Sequence, residues 1–520
     1  MTTVVLGAGA VGTATAWYLR KAGHDVTVIE RQPEAALETS WGNGCVIHAS
    51  EVEPWSQPGM PAKIVKWLGK ENAPLLLRYG AIPAMWRWGI DFARNCTPEK
   101  FRANALSNLE LALHSLKSLH EIGSETGISY DRATRGVLKI YRSPESLDGA
   151  QRQADDLARH GLLYERLDVQ RCVEIEPALQ DTKSTLAGAL YFARDEVGDC
   201  NKFTQGLAAA SAAAGVTWRY GETVKGIETS GGKVTGVIYF DKSKKEVVQR
   251  AKAVVVCANG AETPRLLLMS KSNQFPDGLA NSSGIVGKHF MFNGGALSNA
   301  VFEHEVNGHR GPVVTRISQE FYELDEKLGL VGGGGFDFRV DVPAMLRTLS
   351  MPPDYPTWGS AFKKEMRPWF SHSLLSYAHT TSMPVETNSV SLDPELKDAW
   401  GLPAIRTTFK EHEQDMRLYK HFQERNHELL TAAGAQKIFP NPIGDEPGST
   451  VHLLGTARMG NDPKSSVVDK FHRAHDVKNL FIVDGSSFVT SGRGQPTLTI
   501  QALAFRAADH IAQFAKRGEI

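Results

Sequence analysis

Three glycines close to the amino terminus, Gly7, Gly9 and Gly12, have the spacing G-x-G-x-x-G that binds a dinucleotide. The run VVL before them is typical of a strand, and AVGTATAWYLRKAG after them is typical of a helix that stops at a glycine. In such a turn the glycines permit the bend, let the backbone approach a pyrophosphate and let the helix lie close to the sheet. The next predicted strand ends at Glu30, whose carboxylate can accept hydrogen bonds from a ribose diol. The pattern predicts dinucleotide binding and leaves FAD and NAD both open.

A short loop, LETSWGNG, follows the second predicted strand and carries hydroxyl groups and glycines. Such a loop can wrap phosphate and approach a flavin ring with its backbone N–H groups. The cofactor contacts that we predict in and around it are those of Arg31, Thr39, Ser40, Asn43, Gly44 and, further along the chain, Val224.

One histidine, His452, precedes a run of small and polar residues in the stretch VHLLGTARMG. An imidazole titrates near neutrality and can serve as a general base, but a lone histidine is as readily a packed ring in the core. The residue type alone therefore leaves both interpretations open.

The amino-acid composition limits the classes to which the protein can belong. The 520 residues include 58 basic and 58 acidic side chains, so the net charge is zero and gives no reason to expect nucleic acid as a partner. With 42% hydrophobic residues the chain can bury a sizeable core. Its five cysteines form no C-x-x-C pair, which predicts reduced, buried thiols, no metal site and a cytoplasmic protein. We expect neither a signal peptide nor a membrane-spanning helix.

The first half of the chain resembles the bacterial D-amino-acid dehydrogenases, FAD flavoproteins of the D-amino-acid-oxidase type. The resemblance rests on the amino-terminal stretch as far as ERQPEAALETS, on EPWSQPGMPAKIVKWLGKENAPLLLR and on DEVGDCNKFTQGLAAASAAAGVTWRYGETV. It covers roughly residues 1–225 and departs from the family at GNGCVIHAS.

The pattern changes at about residue 230. A predicted hairpin is followed by a buried strand, Ala253–Cys257, and by a turn into a helix. The stretches GAETPRLLLMS, FPDGLANSSGIVGKHFMFN and VHLLGTARMGNDPKSSVVD resemble the glucose–methanol–choline (GMC) oxidoreductases over roughly residues 230–520. The chain thus resembles one flavoprotein family in its first half and another in its second half, as if two halves had been joined. Both resemblances imply an α/β fold, with a Rossmann-like FAD-binding domain of the glutathione-reductase or GMC type and an α+β substrate domain.

The resemblances also imply a domain division. We expect a discontinuous FAD-binding domain of residues 1–60, 190–300 and 448–520, and a substrate or cap domain of residues 61–189 and 301–447. The strand in NLFIVDGS is expected to return to the sheet beside the first strand, which would bring Asp484 and Gly485 to the ribityl chain. The helix that begins near Pro496 and Thr497 would direct its positive end at the flavin ring, where a reduced flavin is negative, and this favours FAD over NAD.

The GMC resemblance implies that His452 takes the hydroxyl proton of an alcohol while the carbon-bound hydride goes to flavin N5. A base is needed because the pKa of an alcohol lies far above neutrality, and a positioned base contributes about 10²–10⁴ in rate. Gln495, in GRGQPTLT, stands where that family has Asn or His beside the base. Its amide keeps a donor and an acceptor that can hold the substrate hydroxyl.

Two reactions and one inactive state compete. The favoured one is oxidation of a CH–OH group in a sugar, polyol or other alcohol. The alternative is oxidation of a D-amino acid, which needs a cation for the substrate carboxylate. In that family the cation comes from the part of the chain that is replaced here, and Arg493 is only a neighbour in sequence. The third interpretation is a flavin-binding hybrid with poor turnover.

The electron acceptor would be a quinone, a cytochrome or oxygen. No C-x-x-C-H motif is present, so a cytochrome would be a separate chain. The segment 60–95 mixes Lys and Arg with Trp and Leu and could lie on a membrane surface, although packing within the substrate domain is favoured. The prediction is a cytoplasmic protein that allows peripheral contact with the inner membrane.

Overall fold

The computed structural model describes residues 1–52, 94–306, 314–318, 330, 333–339, 351, 355–443, 451–492, 494 and 496–520. The segment 60–95 that raised the question of a membrane surface lies almost entirely outside the described residues, as do Arg493 and Gln495.

The described helices, in chain order, are α1 Ala10–Lys21, α2 Pro98–Thr126, α3 Pro144–Ala158, α4 Val169–Ile175, α5 Cys200–Ala213, α6 Asn259–Met269, α7 Gly359–His372, α8 Glu413–Ala432 and α9 Thr497–Lys516. Short 3₁₀ helices span Pro177–Thr185 and Gly485–Ser487. No described helix is both long and apolar enough to cross a membrane.

The described strands are β1 Thr2–Leu6, β2 Asp25–Glu30, β3 Val46–Ile47, β4 Val137–Tyr141, β5 Glu165–Leu167, β6 Gly188–Phe192, β7 Glu196–Val197, β8 Thr217–Tyr220, β9 Thr223–Ser230, β10 Lys233–Phe240, β11 Glu246–Arg250, β12 Ala253–Val256, β13 Gly294–Val301, β14 Val314–Ser318, β15 Gly334–Arg339, β16 Ser373–Thr380, β17 Ser389–Lys397, β18 Pro403–Thr408, β19 Lys437–Pro440 and β20 Leu480–Ile482.

A parallel sheet in the order β20-β12-β1-β2-β8 forms the centre of the fold. Helices cover one of its faces, and the antiparallel sheet β11-β10-β9 packs on the other. Because both faces are covered, β12 has four buried residues in succession. Helix α1 packs against α5 and α9 beside this sheet. The predicted strand–turn–helix–strand unit at the amino terminus is confirmed as β1, α1 and β2.

The position predicted for the last strand is wrong. β20 pairs with β12 in the register Val254↔Leu480, and not with β1. The physical reason is that β1 has only two hydrogen-bonding edges, and β12 and β2 occupy them. β20 therefore forms the edge of the described sheet, two strands away from β1.

A second, antiparallel sheet in the order β14-β15-β16-β13-β19 carries α8 on one face. Phe336, Ala378 and Phe422 form the buried core between that face and the helix. Because side chains alternate along a strand, Asp337 and His379 must point to the other face of the sheet. This face is therefore the one that can line a site.

The long helix α2 has a defined start and a defined end. Thr97 caps its first turn by accepting from the Lys100 N–H, Pro98 occupies the first helical position, and Gly127 ends it in a left-handed conformation. Its buried residues include Leu109 and Leu119. The helix packs against α9 and so braces the last helix of the chain.

All five cysteines are free thiols, as expected. Cys96, Cys172 and Cys257 are buried, whereas Cys45 and Cys200 are only partly buried. The expectation that all five are buried is thus wrong for these two. Cys45 directly precedes β3, Cys200 is the first residue of α5, and both line one small pocket.

We expect the buried His472 to make the stability of the fold sensitive to acid. Its ring is buried, Nδ1 lies 2.9 Å from the Ile482 carbonyl oxygen, and burial lowers its pKa to about 4. Since the folded-state pKa is below the unfolded value, the free energy of unfolding is complete above about pH 6.5 and falls as the pH drops towards 4. We expect the loss from this residue to be about 3 kcal/mol. The free energy of unfolding, measured by chemical denaturation at a series of pH values, should fall less steeply on the acid side for His472→Gln than for wild type. His427→Gln, at an exposed position, is the control. An equally steep fall in His472→Gln would contradict this assignment.

Candidate active site

The turn after β1 has no room for side chains. Gly7 has a φ of +104°, and a Cβ there would lie 2.5 Å from the Cys257 carbonyl oxygen. A Cβ on Gly12 would lie 2.0 Å from the Gly7 carbonyl oxygen. The helix α1 has no side-chain cap on its Gly9 N-cap, and the Ala10 N–H donates to Ser40 Oγ at 2.9 Å. A helix start whose N-cap residue is a glycine lets the backbone N–H groups approach a pyrophosphate closely.

Glu30 ends β2 beside this turn. Its two carboxylate oxygens accept from the Ala8 N–H at 2.7 Å and the Gln32 N–H at 2.8 Å. Burial raises the pKa of this carboxyl, and the two hydrogen bonds oppose the rise. A carboxylate can accept about four hydrogen bonds, so capacity remains for a ribose diol. Arg31, in contrast, is ion-paired with Glu38 and Glu262, so its part in cofactor binding stays a prediction.

The loop after β2 is tied to the start of α9. Asn43 Nδ2 donates to Thr497 Oγ1 at 2.9 Å, and Asn43 Oδ1 accepts from the Cys45 N–H at 2.9 Å. Two predicted cofactor residues that are far apart in sequence are thus brought together, with Pro496 as the N-cap of the helix. Ser40 lies at the start of α1, because its Oγ accepts a hydrogen bond from the Ala10 N–H. Thr39 is exposed, Gly44 is partly buried, and Val224 packs partly buried on the core beside the parallel sheet.

Asp484 is buried and hydrogen-bonded within the chain, and its contact with the ribityl chain stays a prediction. Its carboxylate accepts from the Ala258 N–H at 3.0 Å, Thr263 Oγ1 at 2.6 Å and the Ser486 N–H at 2.9 Å. Burial raises the pKa of this carboxyl against those hydrogen bonds. The contacts join α6 to the turn after β20. Gly485 in that turn lets the segment of His452 lie close, because a Cβ there would lie 2.9 Å from the Leu453 carbonyl oxygen.

His452 has a left-handed backbone with a φ of +64°, which is uncommon for a residue with a side chain and recurs at functional sites. Its Nδ1 lies 2.6 Å from Asn293 Oδ1, and Asn293 Nδ2 donates to the Gly492 carbonyl oxygen at 3.0 Å. The loop of Gly492 leads to Pro496 and α9, the helix that Asn43 contacts. His452 is therefore held beside the loop that precedes the helix predicted to face the flavin.

The surroundings of His452 disfavour a charged imidazole. Burial lowers its pKa to about 3, with further lowering by His379 and Arg339, whereas Asp337 acts in the opposite direction. His452 is therefore unprotonated at neutral pH, the state that a proton acceptor requires.

A cluster that the sequence reasoning missed lies next to His452. His379 Nε2 is 2.8 Å from Asp337 Oδ2 and 2.6 Å from Arg339 Nη2, and Arg339 also forms an ion pair with Asp337. Burial opposes ionisation of Asp337, but the charges of His379 and Arg339 outweigh it and hold the pKa of that carboxyl below its usual value. The ring centroids of His379 and His452 are 6.2 Å apart, and the rings are tilted by 25°.

One signal for this cluster was present in the sequence. The stretch GGGGFDFR alternates aromatic and charged residues, which places Asp337 and Arg339 on one face of a strand. No signal tied His379 to them, because it lies on the neighbouring strand, where it is paired with Gly295 and Gly335. The structure thus brings His452 together with Asn293 and this cluster. It does not describe the predicted partner Gln495.

Comparisons with known proteins give two family matches in this chain. The FAD dependent oxidoreductase family matches residues 2–304, and the GMC oxidoreductase family matches residues 384–504, which include His452. The two families are those expected from the sequence. The first match runs beyond the expected seam at about residue 225, and the second begins well after it.

Two curated relatives match about half of the chain. The D-amino acid dehydrogenase of Dechloromonas aromatica is 44% identical over 267 residues, which are 51% of this chain and 64% of that protein. The D-amino acid dehydrogenase of Paramagnetospirillum magneticum is 43% identical over 267 residues, which are 51% of this chain and 62% of that protein. The match thus covers less than two thirds of either relative.

Among solved structures, pyridoxine 4-oxidase from Mesorbium loti is similar in fold, with a TM-score of 0.52 and 16% identity. The superposition covers 98% of each chain. The glycine turn, the uncapped helix start and the acid at the end of β2 fit the cofactor that this fold carries. The chain belongs to the FAD dependent oxidoreductase family.

Proposed function

We propose that the protein oxidises a CH–OH group of a small molecule, a sugar, polyol or other alcohol, with His452 as the proton acceptor. The observation that carries the proposal is the placement of His452, whose Nδ1 lies 2.6 Å from Asn293 Oδ1 beside the loop that leads to α9. Burial lowers the pKa of this imidazole, which favours the unprotonated form that a proton acceptor requires. Its position within the GMC oxidoreductase match supports the same chemistry. Bound FAD supplies the acceptor for the hydride that leaves the substrate carbon.

His452 would accept the hydroxyl proton as the C–H bond breaks. The nearby Asp337 carboxylate favours the imidazolium that then forms, whereas His379 and Arg339 disfavour it. Burial, the largest cause of the lowered pKa, favours release of that proton from His452 after turnover. Gln495 stays the proposed partner for the substrate hydroxyl, on the grounds of its place in the sequence.

The proposal includes the cofactor contacts and the domain division. Gly7, Gly9, Gly12 and Glu30 would hold the ADP moiety of FAD, and the loop of Asn43 with Thr497 would lie near the flavin. We place the end of the second FAD-binding segment before Gly294 and not at residue 300, because β13 pairs with β16 and β19 in the antiparallel sheet.

Oxidation of a D-amino acid is the second candidate, because the curated relatives carry that name at 43–44% identity. One structural observation favours it, since Arg339 provides a cation in the cluster beside His452. One observation disfavours it, since a substrate carboxylate would compete with Asp337 for that guanidinium. In either case an external acceptor, a quinone, a cytochrome or oxygen, would receive the electrons.

The two reactions are separated by adding donors to the purified holoprotein without oxygen. We expect sugars, polyols or other alcohols to bleach the yellow flavin absorbance and D-amino acids to leave it unchanged. Bleaching by D-amino acids alone would replace the proposal with the second candidate. Bleaching by dithionite but by no donor of either class would indicate a flavin-binding hybrid with poor turnover.

A further inference from the structure

We infer that Asn293 is a positioning residue that fixes the tautomer of His452, with the proton on Nδ1 and the lone pair on Nε2. The assignment of the tautomer depends on geometry alone, and its consequence for catalysis rests on the proposed function. Asn293 is not part of either glycine motif or of the stretch around His452, and 159 positions separate the two residues.

The orientation of the Asn293 amide is determined by its second partner. The Gly492 carbonyl oxygen can only accept a hydrogen bond, so the group 3.0 Å from it must be the Asn293 NH₂. A flipped amide would place two oxygens against each other there. The amide oxygen is therefore the atom that lies 2.6 Å from His452 Nδ1. Because an amide oxygen is only an acceptor, Nδ1 must carry the proton.

The backbone fixes the positions of both residues. Met291 and Leu454 exchange backbone hydrogen bonds of 3.1 and 3.0 Å, and the Asn293 N–H donates to the Val451 carbonyl oxygen at 3.4 Å. Asn293 has no exposed surface and directly precedes β13 of the antiparallel sheet. The sheet that would line the substrate site thus also holds the partner of the base.

The consequence for the proposed reaction is direct. A neutral imidazole has one nitrogen that can accept a proton, and Asn293 makes that nitrogen Nε2. The charged groups that face His452 from the described elements are His379, Arg339 and Asp337, all on β15 and β16. None of these three groups is the hydrogen-bond partner of Nδ1. Among the residues that the structure describes, the amide of Asn293 is that partner and selects the tautomer.

The pH dependence of flavin reduction in Asn293→Asp and Asn293→Ala tests the catalytic consequence. Both variants lose the donor to Gly492, and they differ in whether an acceptor remains for His452 Nδ1. A carboxylate there should stabilise the imidazolium and raise the pKa of His452 by about one to three units. We therefore expect the acid limb of the pH profile for flavin reduction to lie about one to three pH units higher in Asn293→Asp than in wild type.

Asn293→Ala should slow reduction at every pH by about tenfold or more without that shift, because the ring loses its anchor. Asn441→Asp, an exposed position next to the antiparallel sheet, is the matched control for added charge and should behave as wild type. Equal slowing in Asn293→Asp and Asn293→Ala with no displacement of the acid limb would overturn the positioning role.

Nitrogen-15 NMR of histidine-labelled holoprotein gives a readout that needs no substrate. The His452 resonances, assigned by their loss in His452→Ala, should show a protonated Nδ1 and an unprotonated Nε2 in wild type. A proton on Nε2 would overturn the inference. If NMR shows the expected tautomer but no alcohol reduces the flavin, the proposed function fails and the role of Asn293 as tautomer anchor stands.

Discussion

Replacing His452 with alanine is expected to slow reduction of the flavin by its alcohol substrate about 10²–10⁴-fold while the FAD stays bound. The variant removes the proton acceptor and leaves the glycine turn, Glu30 and the contact between Asn43 and Thr497 intact. The measurement is the rate of anaerobic flavin bleaching in a stopped-flow instrument, together with the ratio of flavin to protein.

His427→Ala is the matched control, since this histidine is exposed on α8, a helix of the same antiparallel sheet. It should retain the wild-type rate. In the His452→Ala background, substitutions of Asn293 should no longer change the rate of flavin reduction, because they act through His452. An unchanged bleaching rate in His452→Ala would remove this residue from the mechanism and with it the main support for alcohol oxidation.

Replacing Gly12 with alanine should abolish stable FAD binding. The added Cβ would lie 2.0 Å from the Gly7 carbonyl oxygen, where real Cβ atoms essentially never approach within 3.0 Å of another heavy atom. Both atoms belong to the backbone of the turn, so relief requires a shift of α1 away from β1. Overpacking of this kind costs about 3 kcal/mol, which is on the order of a hundredfold in affinity.

Gly123→Ala provides the comparison for Gly12→Ala. It lies in α2, outside the proposed cofactor contacts, its φ is outside the left-handed region, and its Cβ would meet nothing within 4 Å. FAD titration followed by fluorescence should give a wild-type affinity for this variant and a weak one for Gly12→Ala. Equal affinity in both would mean that the turn does not approach the cofactor.

The amino-terminal unit could be predicted because its signals are local. Gly7, Gly12 and Glu30 lie within one strand–helix–strand unit, where spacing alone determines which backbone groups meet. The contact between Asn43 and Thr497 at the start of α9 was not predicted, because it joins segments that are far apart in the chain and no local pattern marks it.

The partners of His452 could not be predicted in this way. Asn293 reaches it through a bridge between two segments that the sequence does not mark as neighbours, and His379 meets Asp337 across two strands. Pairing of strands depends on the free energy of the whole sheet and not on any short pattern. The misplaced last strand has the same origin, because nothing in NLFIVDGS shows whether β1 or β12 offers the open edge.

The edge position of β20 bears on how a chain of mixed ancestry can arise. This strand has three residues, it falls within the GMC match, and it is added to β12, which falls within the other match. An outermost strand has a single neighbour to satisfy, so an exchange of carboxy-terminal segments between flavoenzymes would disturb one ladder of the sheet and leave the others in register. Recombination at such an edge can add the segment that carries His452 to a chain that keeps its glycine turn, in one step.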